Sequence, residues 1–251
     1  MVLHVHVRRP PFGHDPNGVG EPLPPGSAEI ARITAAAYAA AAPAIDAKLD
    51  VEVVVEVGEP TAAILTCAGR IGAGMLVMGT HGASGFQHLV LGSATEKVLR
   101  RARCPVLTVP PRMRVATALP FQRILCPIDF SDSSLSALEW AWSLAQESGA
   151  TVTLLHVIEW PWDEPPAPPF DKLPGHEARQ LLEFRKAVEA LSRQQLQSLV
   201  PDNLRGRCSS EPLVRHGKAH REVLATAEGH ADLIVMGVHG RNVVDLTLFG
   251  S

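Results

Sequence analysis

Tyrosine occurs once in this chain, and aromatic residues make up 5% of its 251 positions. Platforms for single-stranded nucleic acid need aromatic faces, so this scarcity argues against one. Positive charge is not in excess: 23 Lys and Arg stand against 26 Asp and Glu, a formal net charge of −3. No broad basic field exists to hold a nucleic-acid backbone. Cys67, Cys104, Cys126 and Cys208 are widely spaced, with no C-x-x-C pair. They read as reduced, packed thiols rather than a metal cluster or redox motif. Long apolar runs are missing too. The alanine-rich stretch 35–42 is broken by Pro43 and is far too short to cross a bilayer. The first seven residues meet Arg8-Arg9-Pro10 too soon for a secretory signal. These absences predict a cytoplasmic protein with no membrane and no nucleic-acid partner.

What is present is a repeat. Met78-Gly79-Thr80-His81-Gly82 is followed by nine residues and then Gly92-Ser93. Met236-Gly237-Val238-His239-Gly240 is followed by nine residues and then Gly250-Ser251. The offset is constant, since 236 − 78 and 250 − 92 are both 158. Each copy follows a short apolar run, Met75-Leu76-Val77 or Leu233-Ile234-Val235. The pattern reads as a buried strand, a glycine turn, a loop, and Gly-Ser where a helix begins. Glycine lets the backbone approach a ligand closely. A helix N-terminus offers unpaired N–H groups to an anion. Together they describe a phosphate cradle. Glycines that serve only as turn formers are the plainer reading, and two copies at identical spacing weigh against it.

The rest of the chain alternates strand and helix patterns with no hairpin signal, which predicts parallel sheets covered by helices. Strands are expected over residues 2–7, 51–57, 75–79 and 104–109. Helices are expected over 27–49, where Pro43 should kink or end the helix, over 61–70 with Thr61 as cap, and over 93–101. Residues 9–26 form a Pro- and Gly-rich loop. Residues 111–120 read as a linker between a first domain, 1–110, and a second, 121–251. The second half restarts with a strand, Arg123 to Asp129, that ends in an acid. A helix capped by Ser131 or Asp132 follows, with Leu135, Leu138, Trp142 and Ala145 on one face and Gly149 at its end. Further segments are a strand over 151–158, a proline-rich loop over 160–175, a helix over 176–200 with Leu181, Phe184, Val188, Leu191 and Leu199 inward, a strand over 208–216, a helix over 218–229 and a strand over 232–237. The tryptophans read as core, and His4, His6 and His156 as packing residues on strands.

With these residues in view the chain resembles the universal stress protein family in tandem, two-domain form. The family motif, G-x-x-G, nine residues, then G-S or G-T, is matched by Gly79, Gly82, Gly92 and Ser93 and by Gly237, Gly240, Gly250 and Ser251. Pro127-Ile128-Asp129-Phe130-Ser131, Leu155-His156-Val157 and Cys104-Pro105-Val106 look like the family's first strand and turn, second strand and last strand. The resemblance implies an α/β fold of two doubly wound, Rossmann-like parallel-sheet domains (adenine nucleotide alpha hydrolase-like), strand order 3-2-1-4-5. It implies ATP, with Mg²⁺, as the ligand, and pairing of domains about a two-fold axis within the chain or in a homodimer. Carried over by motif, Pro127, Asp129 and the backbone of Val157 would hold adenosine. Met236, Gly237, Val238, His239, Gly240, Arg241, Asn242, Gly250 and Ser251 would surround the phosphates. Met78, Gly79, Gly82, Gly92 and Ser93 are the first-half counterparts. The pattern departs at both ends. The first half begins at the family's second strand and lacks its acid, and the second half stops at Ser251, before the family's final helix and strand. The expectation is a fragment of a longer chain, or strands supplied by another chain, with copies pairing through residues 104–109.

The chemistry points to binding. Asp129 can accept from a ribose hydroxyl or an adenine amine. His81 and His239 can donate to phosphate or be plain loop residues. No nucleophile elbow, H-E-x-x-H or Walker lysine is present, and no catalytic residue is assigned. The leading expectation is an ATP-binding regulator of a stress response with an unidentified protein partner. A nucleotide-independent interaction module is the alternative, and a slow ATP-hydrolysing enzyme a weaker one.

Overall fold

Apolar strands and amphipathic helices alternate along the chain, and the fold follows that order. The computed structural model describes residues 2–8, 27–80, 92–110, 120–160, 175–204 and 208–238. Two compact units are formed, Met1–Met113 and Arg114–Ser251. The first holds β1 (Val2–Arg8), α1 (Ser27–Asp46), β2 (Val51–Val57), α2 (Pro60–Ile71), β3 (Leu76–Gly79), α3 (Ser93–Arg101) and β4 (Val106–Val109). The second holds β5 (Arg123–Pro127), α4 (Asp132–Ser148), β6 (Thr151–Ile158), α5 (Gly175–Ser198), a 3-10 turn (Asp202–Leu204), β7 (Ser209–His216), α6 (Ala219–Ala227) and β8 (Leu233–Ile234). Every pairing among the described strands is parallel. Parallel neighbours need a crossover, and the helices supply it.

In the second unit the strand order is β7-β6-β5-β8. The central strand is buried throughout its middle: Ile124, Leu125 and Cys126 are 1%, 1% and 0% exposed. That is why its sequence is a continuous apolar run rather than an alternation. Helix α4 lays Ala137, Leu138, Ala141, Trp142 and Ala145 on the core. Ser131 caps it, its Oγ accepting from the Ser134 N–H at 3.2 Å, and Gly149 (φ 68°) closes it. Trp142 and Trp160 are buried, whereas Trp140 lies on the outer face of α4 and is exposed.

Helix α5 differs from the expected inner face. Ser192 and Leu196 are buried and Val188 is half-buried, while Phe184 and Leu191 are 54% and 60% exposed. The inward stripe runs Arg185, Val188, Ser192, Leu196, Leu199, at three- and four-residue steps. Phe184 and Leu191, seven apart, share the adjoining face.

The first unit is built of two separate pairs, β1-β2 and β3-β4. No described strand joins β1 to β3. Glu59, not Thr61, caps α2: its Oε2 accepts from the Ala62 N–H at 2.8 Å and its Oε1 from the Thr61 hydroxyl at 3.0 Å. Pro60 then occupies the first helical turn, where its missing N–H costs nothing. Pro43 does not end α1, which runs three residues further to Asp46. The helix then closes through Lys48 (φ 61°) and the bond from Leu49 N–H to the Ala44 carbonyl at 3.0 Å. The two repeats also expose opposite faces. Met75 and Val77 of the first unit are 40% and 64% exposed, but in the second unit Ile234 and Met236 are the outward residues, at 37% and 54%. Among the described residues no helix is long and apolar enough to cross a membrane.

Two expectations follow. Leu196→Ala removes a side chain that is 0% exposed and should cost about 2–5 kcal/mol in urea denaturation, whereas Leu191→Ala should change stability by no more than about 0.5 kcal/mol. The Ala62 backbone N–H holds the Glu59 carboxyl below its ordinary value of 4.5, so the cap is present above that value and is lost as pH falls through the lowered one. Melting temperatures of the natural chain and Glu59→Ala should therefore differ at neutral pH and converge in acid.

Candidate functional site

From β5 the chain crosses to β6 and β7 on one side, then returns to β8 on the other. The strand order reverses at β5, and the carboxyl ends of β5 and β8 flank the crevice where open parallel sheets bind ligands. Pro127, the last residue of β5, pairs with Leu155 of β6. Asp129 follows two residues later, in the turn to α4. Its Oδ1 accepts from the Ser131 N–H at 3.0 Å and the Ser131 hydroxyl at 2.5 Å. Ser131 in turn holds the first turn of α4, so a single chain of bonds runs from the carboxylate into the helix.

Phe130, between them, is left-handed at φ 61°. A non-glycine residue there stores about 1–3 kcal/mol of strain and persists only if its surroundings fix it. Its ring centroid lies 4.8 Å from that of His156. His156 Nδ1 lies 2.7 Å from the Ile128 carbonyl oxygen. A carbonyl only accepts, so Nδ1 carries a proton. The Ile128 N–H donates to the Leu155 carbonyl at 2.7 Å, fastening the same turn to β6 a second time. His156 was expected to be a packing residue; it is also a tether of the turn, a role its strand position does not signal. Val157, its neighbour on β6, is half-buried and pairs with Arg215 of β7. Cys126, buried in β5 ahead of the turn, has its thiol pushed up to about 12 by burial, which leaves it un-ionised and poorly nucleophilic.

On β8's side, Val235 N–H still bonds to the Leu125 carbonyl at 2.9 Å although regular pairing ends at Ile234. Two residues on, Gly237 lies against the first turn of α4. A Cβ there would stand 2.8 Å from both the carbonyl carbon and oxygen of Ser133, and closer still to its Oγ. The glycine is required by this approach. Met236 and Val238 flank it and are exposed. The structure thus gathers Pro127, Asp129, Val157 and the 236–238 segment at adjacent strand ends of one sheet. His239, Gly240, Arg241, Asn242, Gly250 and Ser251 lie outside the described residues.

In the first unit Met78 and Gly79 end β3, and α3 starts beside them. Gly92 N–H donates to the Thr80 carbonyl at 2.7 Å, and Ser93 opens the helix. Thr95, 5% exposed, donates its hydroxyl to the Gly79 carbonyl at 3.0 Å. The glycine spacing pointed to the end of β3 and the start of α3 but not to Thr95, the side chain that binds one to the other. A hydroxyl two residues after Gly-Ser was the available signal. His81 and Gly82 lie outside the described residues. The strand that carries Asp129 in the second unit has no described counterpart here.

Gly237→Ala should lower the stability of the second unit by about 1–3 kcal/mol, because the new methyl has to displace the first turn of α4. Adding Ser133→Ala should recover only part of the loss, since the backbone at 2.8 Å remains. Urea denaturation of the single and double variants measures both.

The sequence model described as Universal stress protein family matches residues 2–110 and 120–251. Among curated proteins the chain is similar to a universal stress protein of Methanocaldococcus jannaschii, 42% identical over 52 residues, which are 21% of this chain and 31% of the relative. It is similar to another from Bacillus subtilis, 42% identical over 52 residues, 21% of this chain and 35% of that protein. The aligned stretches therefore span only about a third of either relative's length. Among solved structures, a universal stress protein from Archaeoglobus fulgidus superposes with a TM-score of 0.50 at 22% identity, over 84% of this chain and 71% of that one. A functionally unknown protein from Pseudomonas aeruginosa superposes with a TM-score of 0.53 at 18% identity, over 80% and 65%. At these identities the structures speak for the fold alone: α/β, with parallel sheets and helices in Rossmann-like arrangement.

Proposed function

The chain belongs to the universal stress protein family, and from that premise we propose that its second unit binds ATP as the signal of a stress response. The observation that carries the reading is the convergence of Asp129, Val157 and Gly237 at the strand-order reversal of a parallel sheet. The residues present fit an adenine nucleotide. Asp129 supplies a fixed acceptor for a ribose hydroxyl or adenine amine, the Val157 backbone flanks it, and Gly237 keeps side-chain bulk out of the approach to α4. Residues 236–242 with Gly250-Ser251 surround the phosphates in this reading, with Mg²⁺ accompanying the nucleotide. Bound ATP would supply the phosphate charge that the glycine motif faces; the chain's own part is to bind and orient it.

The first unit is assigned weak or no nucleotide binding, because its sequence keeps the glycine motif while a strand leading to an Asp129 counterpart is not among its described elements. Copies pair in this proposal through β4, whose one described neighbour is β3. The setting is cytoplasmic and the partner a protein.

Isothermal titration of the full chain with Mg-ATP tests the site. Asp129→Ala, which removes a charged acceptor, should weaken binding by about tenfold or more. Gly240→Val should abolish it, since a branched side chain would occupy the space this reading gives to phosphate. Heat from the natural chain that persists unchanged in both variants would move the nucleotide elsewhere. No heat, together with no nucleotide released on denaturing the purified protein, would favour the interaction module that works without one.

A further inference from the structure

At the far edge of the second unit, away from the β5–β8 crevice, the ends of β6 and β7 meet the middle of α5. Trp160, 9% exposed, follows β6, and His216 is the last residue of β7. The Trp160 indole N–H donates to His216 Nδ1 at 3.0 Å. Their ring planes are 13° from parallel, with centroids 6.2 Å apart. The other ring nitrogen, Nε2, lies 3.4 Å from Glu189 Oε2 on α5, and Arg193 holds the second oxygen of that carboxylate at 3.1 Å. Arg185, also on α5, places its guanidinium 5.2 Å from the Trp160 ring centre, and Phe184 meets the same ring edge-on. Beside β6's end, Glu159 pairs with Lys218 at 3.7 Å and accepts from the Ala219 N–H at 2.7 Å, fastening the start of α6.

An indole nitrogen only donates, so Nδ1 of His216 has to be unprotonated for this bond to exist. The tethered His156 is the opposite case: its Nδ1 donates to a carbonyl and keeps that bond whether or not the ring is charged. We propose that His216 is a proton-operated latch joining β6, β7 and α5. Neutral, it accepts the Trp160 N–H and donates from Nε2 toward Glu189. A proton taken from solvent onto Nδ1 occupies the lone pair that held the indole and releases Trp160, while the imidazolium keeps Glu189 as its counter-ion. Glu189 and Arg193 from α5, Arg185 over the indole, and the Glu159–Lys218 pair are the charged groups around it. Glu189 is the partner that a protonated ring keeps, and Trp160 the one it loses. Histidine is the side chain suited to such switching near neutral pH. The proposal is independent of nucleotide binding.

The test follows the Trp160 indole N–H resonance of the ¹⁵N-labelled full chain, assigned by its loss in Trp160→Phe, from pH about 8 to about 5. The resonance should shift and lose protection from solvent exchange in step with the His216 ring protons. His216→Gln, whose amide oxygen accepts but does not titrate, should abolish that step. Glu189→Gln, a half-exposed change that spares the sheet, should move the step to lower pH. A Trp160 resonance that stays fixed while the His216 ring titrates would overturn the latch. So would an unchanged step in His216→Gln. If that variant does not fold, a step that fails to move in Glu189→Gln decides against the latch alone.

Discussion

A strand in the middle of a parallel sheet has to satisfy hydrogen bonds along both edges at once. β5 does this in the second unit, with β6 on one side and β8 on the other, and the organisation of that unit follows from it. Its residues are buried on both faces, so α4 has to cover it. Its carboxyl end lies where its two neighbours belong to diverging connections, so the turn carrying Asp129 and Phe130 opens at the reversal. The first unit is the contrasting case. Its strands pair two by two, and α2, packed against both β1 and α3, links the pairs from one side.

Much of this was legible in the residues. The apolar run Ile124-Leu125-Cys126, the cap at Ser131 and Gly149 gave strand, helix and stop, because each is a local signal read over a few positions. The failures were of two kinds. Thr61 lost the cap of α2 to Glu59 because a longer carboxylate two residues upstream reaches the same amides, with Pro60 in between. Phe184 and Leu191 were assigned inward because an apolar residue every three or four positions fits more than one stripe of a long helix. Which stripe faces the sheet is decided by where the sheet is, and periodicity does not contain that.

The candidate site shows the same division. Gly237 was singled out as a glycine of a phosphate turn, and the structure gives it a prior duty, the close approach to Ser133. Asp129 was read as a ligand group. It is not the cap, which is Ser131, but it holds that cap from behind. Thr95 escaped notice and His156 was read as packing alone because each bonds to a backbone carbonyl distant in sequence, at Gly79 and Ile128. Carbonyl partners leave no side-chain pattern to read. The left-handed Phe130 is hidden for a related reason: a bulky residue in that conformation contradicts its own propensity, and only its neighbours make it tolerable.

The opposed exposure of the two repeats has a consequence for how they can diverge. A duplicated segment begins with two copies under one set of constraints. Here the constraints are inverted. Val77 faces outward where its counterpart Val235 packs against the core, and half-buried Leu76 answers to the exposed Ile234. Drift accepted at one register position in one copy is therefore refused at the same position in the other. Resemblance between the halves should erode fastest where strand residues are compared face by face. The glycines are no exception: the approach to Ser133 that requires Gly237 depends on α4, and no described element of the first unit places the same demand on Gly79.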